Sequence, residues 1–402
     1  MANRTTQGGT PGELLQLIRR GEATTRTALA GATGLARSTV SQRIDQLITD
    51  GLVTEVGEAP STGGRPPAVL GFNHQAGVVL VADLGATHSR LAVSDLAGRP
   101  LTEVAVDLDI AAGPEHVLGA VEKSFVDLLD EAGRQGTDVR AVGLGVPGPV
   151  EFAAGRAVNP PIMPGWDGYP IRDRFVDQYE TPVLVDNDVN IMALGEHWVM
   201  TPPPDDLLFI KVGTGIGSGL ILGGKLHRGA QGAAGDIGHV QVAAEGVFCR
   251  CGNQGCLEAV AGGRALAQRL AEKGLDTVTS RDVVRLAKGG DARATQAVRE
   301  AGRLIGRVLA SMVNILNPDT IVVGGDMADA GEQLLAGVRE VVYKRSTALA
   351  TSRLQVLSTA LGDRAGITGA AAMVIEHVFA PRMVDASLAG GAPRLFRSGS
   401  SR

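Results

Sequence analysis

Residues 235–258 read GDIGHVQVAAEGVFCRCGNQGCLE, and this stretch holds all three cysteines of the 402-residue chain. Cys249, Cys251 and Cys256 fall within eight residues, and His239 stands ten residues before the first of them. Three thiolates and one imidazole complete the tetrahedral shell of a structural zinc ion, and the intervening glycines permit a tight backbone. The alternatives are buried apolar cysteines or a disulfide, and for His239 a hydrogen-bonded core position. The clustering favours a zinc site with these four residues as ligands.

Composition narrows the class of protein. The length allows two or three domains, and 44% hydrophobic with 20% charged residues is typical of a globular protein. High glycine content, 55 residues, and 3% aromatic residues favour an α/β protein. The net charge of −5 excludes a polycation, so nucleic-acid binding requires a local module. The polar first residues predict that there is no signal peptide, and the lack of a long apolar run predicts that there is no membrane partner. The clustered thiols predict a reducing, cytoplasmic location.

Residues 1–75 are predicted to form a winged helix-turn-helix. Apolar residues mark three short helices, with a turn at Gly34, and residues 52–57 and 68–72 read as the strands of a hairpin. The third helix, starting near Ser38, is expected to enter the major groove. The residues of this helix outside the apolar stripe, together with the tip of the wing, are predicted to bind DNA. On the helix they are Arg37, Ser38, Thr39, Ser41, Gln42 and Arg43, and on the wing Arg65. A small helical interaction domain is the alternative, because residues 1–70 hold seven arginines against six acidic residues.

A strand, a glycine-rich loop and a second strand occur twice in the remaining chain. The first copy starts at Gly77 with GVVLVADLGATHSRLAVSDLAGRP, and the second, DLLFIKVGTGIGSGLILGGKLHRG, spans residues 206–229. Each copy is followed by alternating helices and strands. The repetition predicts a duplicated α/β fold with a ligand cleft between two lobes.

These motifs together resemble the ROK family of sugar kinases and sugar-responsive regulators. The resemblance covers residues 78 to about 380 and rests on DLGAT (83–87), GVPGP (145–149), NDVN (187–190), GTGIGSG (213–219), Gly238-His239 and the block from Cys249 to Glu258. It implies a two-lobed actin-like, ribonuclease-H-like ATPase/sugar-kinase fold. Lobe 1 is expected over residues 76–197, completed by a helix near 364–379, and lobe 2 with the zinc loop over 198–363. Residues 381–402 are predicted to be a disordered tail.

The resemblance also implies site residues. Asn187, Asp188, Asp236, His239 and Glu258 are expected around a sugar, with Asp188 at the position of the kinase general base. Asp236 stands where the family usually has glutamate, which shortens its reach by one methylene. The structural alternatives are that Asp188 caps the following helix and that Glu258 makes a cap or a salt bridge after the zinc loop.

Two further loops resemble nucleotide-binding loops. The expected residues are Asp83, Gly85, Thr87, Gly213, Thr214, Gly215, Gly217, Gly324 and Gly325, with Asp83 as a magnesium ligand. Ala86 stands where the kinases have a second glycine, and Asp326 where a third glycine is common in the other loop. The Cβ of Ala86 and the carboxylate of Asp326 would crowd or repel phosphates, and they argue against the use of Mg²⁺ and ATP.

The winged helix in front of this region matches the regulator branch of the family, because the kinases lack it. The sequence therefore predicts a sugar-responsive DNA-binding transcription regulator, a repressor of carbohydrate metabolism. Its expected partners are double-stranded operator DNA, a monosaccharide or sugar phosphate, and further copies of the chain in a homodimer or homotetramer. The alternatives are an ATP-dependent sugar kinase with an appended DNA-binding module, and a regulator controlled by a protein partner.

Overall fold

The computed structural model describes residues 9–58, 66–243 and 246–390. Arg65, predicted at the wing tip, and residues 391–402 of the predicted tail lie outside this part of the chain. Among the described residues, no helix combines the length and the apolar character needed to cross a membrane.

Three helices and a hairpin form the N-terminal module, as predicted for a winged helix-turn-helix. Its elements are α1 (Pro11–Arg19), α2 (Arg26–Thr33), α3 (Arg37–Thr49), β1 (Val53–Glu58) and β2 (Ala68–Phe72). Thr10 and Glu13 cap α1 reciprocally, Thr25 caps α2, and Gly34 ends α2 in the left-handed region at φ 73°. The helices meet through the predicted apolar stripes, including Leu14, Leu29, Val40, Ile44 and Leu47, which are fully buried.

Lobe 1 is built on a five-stranded sheet with the order β5-β4-β3-β6-β9. Its elements are β3 (Val78–Leu84), β4 (Ser89–Asp95), β5 (Pro100–Val106), α4 (Pro114–Glu131), β6 (Val139–Val146), β7 (Val150–Glu151), β8 (Arg156–Ala157), α5 (Ile171–Tyr179), β9 (Val183–Asn187) and α6 (Asp188–Val199). The first three strands form an antiparallel meander, and β6 and β9 add in parallel to β3. The carboxyl ends of β3, β6 and β9 therefore meet at one edge, where α6 begins.

Lobe 2 repeats this topology, in agreement with the predicted duplication. Its sheet has the order β12-β11-β10-β13-β14, with an antiparallel meander followed by two parallel strands. Its elements are β10 (Leu207–Val212), β11 (Ile216–Leu222), β12 (Lys225–Leu226), α7 (Leu257–Ala261), α8 (Gly263–Glu272), α9 (Ser280–Lys288), α10 (Ala292–Leu316), β13 (Thr320–Gly324), α11 (Glu332–Arg345), α12 (Ala348–Thr351) and β14 (Gln355–Ser358).

Helix α13 (Ala365–Val378) returns to lobe 1 and packs on its sheet and on α6. The approach to α6 is close, because a Cβ on Gly369 would lie 1.6 Å from the carbonyl oxygen of Ile191. This contact explains the small residues of the helix, since only glycine permits backbones to meet at such a distance. α13 also joins the N-terminal module to lobe 1, because residues of α1, α3, β3 and α13 share one apolar cluster.

The predicted disordered tail starts with an ordered helix, which corrects that prediction for its first residues. α14 (Pro381–Leu388) packs against α1. Val384 is fully buried, and Asp385 Oδ1 accepts a hydrogen bond from the Gly12 amide at 2.8 Å. The polar, small-residue composition suggested a tail, but the few apolar side chains lie on one face that α1 covers.

Candidate effector cleft, metal cluster and DNA-binding surface

A cleft of about 770 Å³ lies between the lobes, within the size range of small-molecule sites. It brings together all five predicted sugar-site residues, Asn187, Asp188, Asp236, His239 and Glu258. Of the predicted nucleotide-loop residues, Asp83, Gly85, Thr87, Gly213, Thr214, Gly215, Gly217 and Gly325 also line it. Gly324 has a packing role, because a Cβ there would lie 2.6 Å from the Phe209 ring.

Asn187 and Asp188 stand where β9 turns into α6, at the carboxyl edge of the lobe 1 sheet. Asn187 is the N-cap, with its side-chain oxygen accepting from the Val189 amide at 2.9 Å, and its amide group donates to Gly148 O at 2.9 Å. The cap is therefore Asn187 rather than Asp188. The Asp188 side chain, buried within the first turn, accepts from Lys211 Nζ at 2.5 Å.

Glu258, on α7, holds the glycine loop between β10 and β11. Its Oε2 accepts from the Ile216 amide at 3.2 Å. A Cβ on Gly215 would lie 2.1 Å from the same oxygen, so this carboxylate requires glycine at that position. The contact is with the loop backbone, rather than the predicted cap or salt bridge, and it leaves Glu258 on the cleft wall.

The four predicted metal ligands converge. His239 Nδ1 and the sulfurs of Cys249, Cys251 and Cys256 all lie within 4.8 Å of one another. The Cys251 and Cys256 sulfurs are 3.7 Å apart, and Cys249 Sγ is 3.5 Å from His239 Nδ1. A tetrahedral ion with bonds of about 2.3 Å to sulfur and 2.0–2.1 Å to nitrogen needs separations of about 3.8 and 3.6 Å. All three cysteines are free, and a disulfide requires sulfurs about 2.05 Å apart. The donor set and spacing fit a metal ion.

Proton chemistry within this cluster points the same way. Burial raises the pKa of Cys249 and raises that of Cys256 to about 12, whereas a backbone hydrogen bond at Asn253 lowers the pKa of Cys251 to about 7. The thiolate is the form that binds a metal ion, so metal binding by this cluster would release protons.

The remaining face of the His239 ring turns towards the cleft. Its Nε2 is 3.9 Å from Asp236 Oδ1, beyond hydrogen-bond distance, and the Asp236 side chain is half exposed. With Nδ1 directed at the sulfurs, Nε2 is the ring atom available to a ligand in the cleft.

Asp83 and Lys211 meet at the base of the cleft. Asp83 is partly buried at the end of β3, and its buried Oδ1 atom has no hydrogen-bond partner among the described residues. Burial raises the pKa of Asp83 to about 7. Burial also acts to lower the pKa of Lys211, but Asp188 and Asp83 outweigh that effect and raise it above its ordinary value. Lys211 was not among the predicted site residues, although a lysine inside the apolar strand LLFIKV was a usable signal.

On the N-terminal module, α3 presents a polar surface. Arg37, Ser38 and Gln42 are exposed, and Thr39 and Ser41 are partly exposed. Arg43 instead donates a hydrogen bond to Gly9 O and so holds the segment before α1. The N-cap of α3 makes no side-chain hydrogen bond, which leaves amides of its first turn available to a phosphate.

A two-lobed actin-like fold with a cleft between the lobes, preceded by a winged helix-turn-helix, defines a DNA-binding protein built on a sugar-kinase scaffold. The chain belongs to the ROK family, whose sequence model matches residues 79–377. A winged helix-turn-helix DNA-binding model matches residues 10–54.

Similar proteins include both regulators and kinases. The xylose repressor of Caldicellulosiruptor bescii is 31% identical over 379 residues, which cover 91% of this chain and 95% of that protein. A solved ROK family transcriptional regulator, a homologue of the Escherichia coli MLC protein, has a TM-score of 0.79 at 23% identity and covers 95% of this chain and 98% of its own, which shows a shared fold. A ROK family glucokinase from Streptomyces griseus, solved with glucose and AMPPNP, has a TM-score of 0.66 at 31% identity and covers 74% of this chain and 99% of its own. The glucokinase therefore has no counterpart of about a quarter of this chain.

Proposed function

We propose that the protein is a sugar-responsive transcriptional repressor of carbohydrate metabolism, with a monosaccharide or sugar phosphate as effector in the cleft. The observation that carries the proposal is the path from the cleft to the DNA-binding module. α13 begins beside Asp83, where a Cβ on Gly366 would lie 1.9 Å from Asp83 Oδ2. It ends at Val378, and the ring of the next residue, Phe379, packs on Phe72 of the module at 5.0 Å between centroids. A rotation of lobe 1 relative to lobe 2 would therefore carry the module with lobe 1. The similarity to a xylose repressor over nearly the whole chain supports the same function.

The sugar contacts are proposed from the geometry of the cleft. Asn187, Asp188 and Glu258 offer amide and carboxylate groups to hydroxyls, and Asp236 lies at the open rim. His239 is proposed to bind a hydroxyl through Nε2. Zinc bound by His239, Cys249, Cys251 and Cys256 would hold that ring in place and supply no chemistry to the sugar.

The DNA contacts are proposed for α3 in the major groove. Arg37, Ser38 and Thr39 stand at the helix start, where they would bind phosphates, and Ser41 and Gln42 would face base edges. Arg65 on the wing is proposed to reach a phosphate or the minor groove. Arg43 would contribute mainly by ordering the segment at Gly9.

A homodimer or homotetramer is proposed because two modules with a fixed separation can match two half-sites. Sugar binding that changes lobe closure would change this separation, and with it the affinity for the operator. The thiol cluster supports a reducing, cytoplasmic setting.

Binding of the full chain to its own promoter region tests the proposal. We expect fluorescence anisotropy to show operator binding above random DNA, weakened by one member of a panel of monosaccharides and sugar phosphates. Gln42→Ala should reduce operator affinity about 5- to 150-fold, the range for losing a bidentate base contact, without changing sugar affinity. Gln355→Ala, at an exposed site on lobe 2, is the matched control. Equal affinity for operator and random DNA at moderate salt would disprove the proposal.

An active sugar kinase is the second candidate function. It is favoured by Asp188 at the cleft, beside the Gly213–Gly219 loop, and by the 31% identity to a glucokinase. ATP turnover with the same sugar panel decides between the two candidates. Turnover that disappears in Asp188→Asn would favour the kinase.

A further inference from the structure

Lys211 is a charged residue in an otherwise apolar strand, β10, and the neighbouring strands leave space for it. Its register partners are Gly217 on β11 and Gly324 on β13, so no side chain stands directly opposite it on either strand. The long side chain extends to the cleft, where it is 24% exposed.

The ammonium group reaches from lobe 2 to the acids of lobe 1. Lys211 Nζ donates to Asp188 Oδ2 at 2.5 Å, and Asp83 contributes a second attraction from its buried position. Asp83 Oδ1 has no hydrogen-bond partner among the described residues. The carboxylates of Asp83 and Asp188 thus already have a positive charge beside them that the chain itself supplies.

Phosphoryl transfer to a sugar needs this same space. The base must be free to accept a hydroxyl proton, and a divalent cation must accompany the terminal phosphate of the nucleotide. Here one oxygen of Asp188 is already hydrogen-bonded to an ammonium group. The residues at the base of the cleft therefore do not fit a nucleotide with its metal.

The loop after β13 adds a second obstacle to a nucleotide. Asp326 Oδ2 accepts from Ser280 Oγ at 2.9 Å, and its other oxygen is 3.8 Å from the Arg281 guanidinium. This hydrogen bond fixes a carboxylate on the cleft wall, where it would repel phosphates.

We propose that Lys211 is a specificity-determining residue that takes the place of a nucleotide-bound metal and restricts the cleft to a neutral sugar. Lys211 links the two lobes through Asp188 Oδ2, while Asp188 Oδ1 accepts from the Val189 amide and Asn187 lines the cleft beside it. A phosphate beside Lys211 is disfavoured, because at this end of the cleft it would lie among Asp83, Asp188 and Asp326, and Lys211 is already paired with Asp188. This inference deepens the proposed function and rests on it for the sugar-contacting residues.

The direct test is the binding of Mn²⁺ alone to the zinc-loaded full chain. It is measured by calorimetry and by electron paramagnetic resonance. Wild type should show no Mn²⁺ binding in the cleft at millimolar concentration. Lys211→Met leaves two carboxylates unbalanced and should bind Mn²⁺ at least about tenfold more tightly, and adding Asp83→Asn should remove the gain. Lys211→Arg keeps the cation and should behave as wild type. Lys225→Met, at an exposed lysine in the same sheet, is the matched control.

Two results would overturn the inference. One is Mn²⁺ binding in wild type as tight as in Lys211→Met, and the other is a Lys211→Met protein that gains none. If Lys211→Met does not fold, Lys211→Gln keeps a hydrogen-bond donor beside Asp188 without the positive charge, and it then provides the Mn²⁺ measurement.

Sugar binding by wild type provides the second measurement. Heat with a neutral monosaccharide and none with its 6-phosphate is expected, whereas tighter binding of the phosphate overturns the inference. A protein that binds neither operator nor sugar contradicts the proposed function, while the Mn²⁺ comparison still decides the role of Lys211. ATP turnover dependent on Asp188 in wild type would refute that role directly.

Discussion

Phe379 joins the effector lobe to the DNA-binding module, and its truncation should uncouple them. The ring is fully buried at the end of α13. It meets Phe72 edge to face at 5.0 Å and 83°, and the Arg19 guanidinium lies 4.8 Å from its centroid. Arg19 is also paired with Glu376 on α13 at 3.1 Å. Phe379→Ala would thus remove a contact shared by α1, β2 and α13.

The expected cost follows from these contacts. Truncating a fully buried phenylalanine to alanine costs about 3–5 kcal/mol, which includes about 0.5–1.5 kcal/mol for the aromatic pair. The loss is local to the joint, so the cleft should keep its sugar affinity within about twofold. The free energy that couples binding at two sites is typically about 1–3 kcal/mol, which corresponds to a 5- to 150-fold change of operator affinity on sugar binding. In Phe379→Ala most of this change should disappear.

Three measurements on Phe379→Ala check this prediction: the urea unfolding midpoint, the sugar affinity by calorimetry, and the operator affinity with and without sugar. Phe175→Ala is the matched control, because Phe175 is equally buried and pairs with Phe125 at 6.2 Å inside lobe 1. It should lose similar stability and keep the coupling. A Phe379→Ala protein with its full sugar response, or equal loss of response in Phe175→Ala, would refute the reasoning.

Three further perturbations have defined outcomes. If the cluster holds zinc as proposed, Cys251→Ser should lose that ion, melt at a lower temperature and no longer respond to sugar, because the ion would hold the His239 ring; metal analysis and operator titration check this, and a metal-free variant with a normal response would contradict it. Gly215→Ala should weaken sugar binding at least about tenfold, since its Cβ would displace the Glu258 carboxylate, whereas Gly31→Ala, with no atom within 4 Å of its Cβ, should not. Asp83 should make wild type less stable as pH rises from about 4 to about 7: its pKa is raised to about 7 in the folded protein, so the native state holds a proton that the unfolded state has released. Asp83→Asn should remove this component from the pH dependence of the urea midpoint, and an unchanged slope would count against it.

Local sequence signals predicted the winged helix-turn-helix and the convergence of His239 with the three cysteines. Thr10, Thr25 and Gly34 are caps whose partners lie within four residues, so their effect can be read along the chain. Prediction failed where a partner lies far away in sequence. α14 was predicted as a tail because its few apolar residues need α1 to cover them.

The cleft residues show the same limit of prediction from sequence. Asn187, Asp188 and Glu258 were predicted from motifs, but their hydrogen bonds were not. Whether Asn187 or Asp188 caps α6 depends on side-chain direction at the strand end. The contact of Glu258 with the Ile216 amide depends on how α7 packs beneath the glycine loop.

The sequence by itself determined the class of fold, the three helices with their hairpin, and a set of possible metal ligands gathered in one short stretch around Cys249–Cys256. Those features arise from periodicity, capping and spacing within a few residues. Only the tertiary structure placed Lys211 of lobe 2 against Asp188 of lobe 1, and the end of α13 against Phe72. Such pairs depend on sheet register and on the return of the chain across both lobes, which no local pattern encodes.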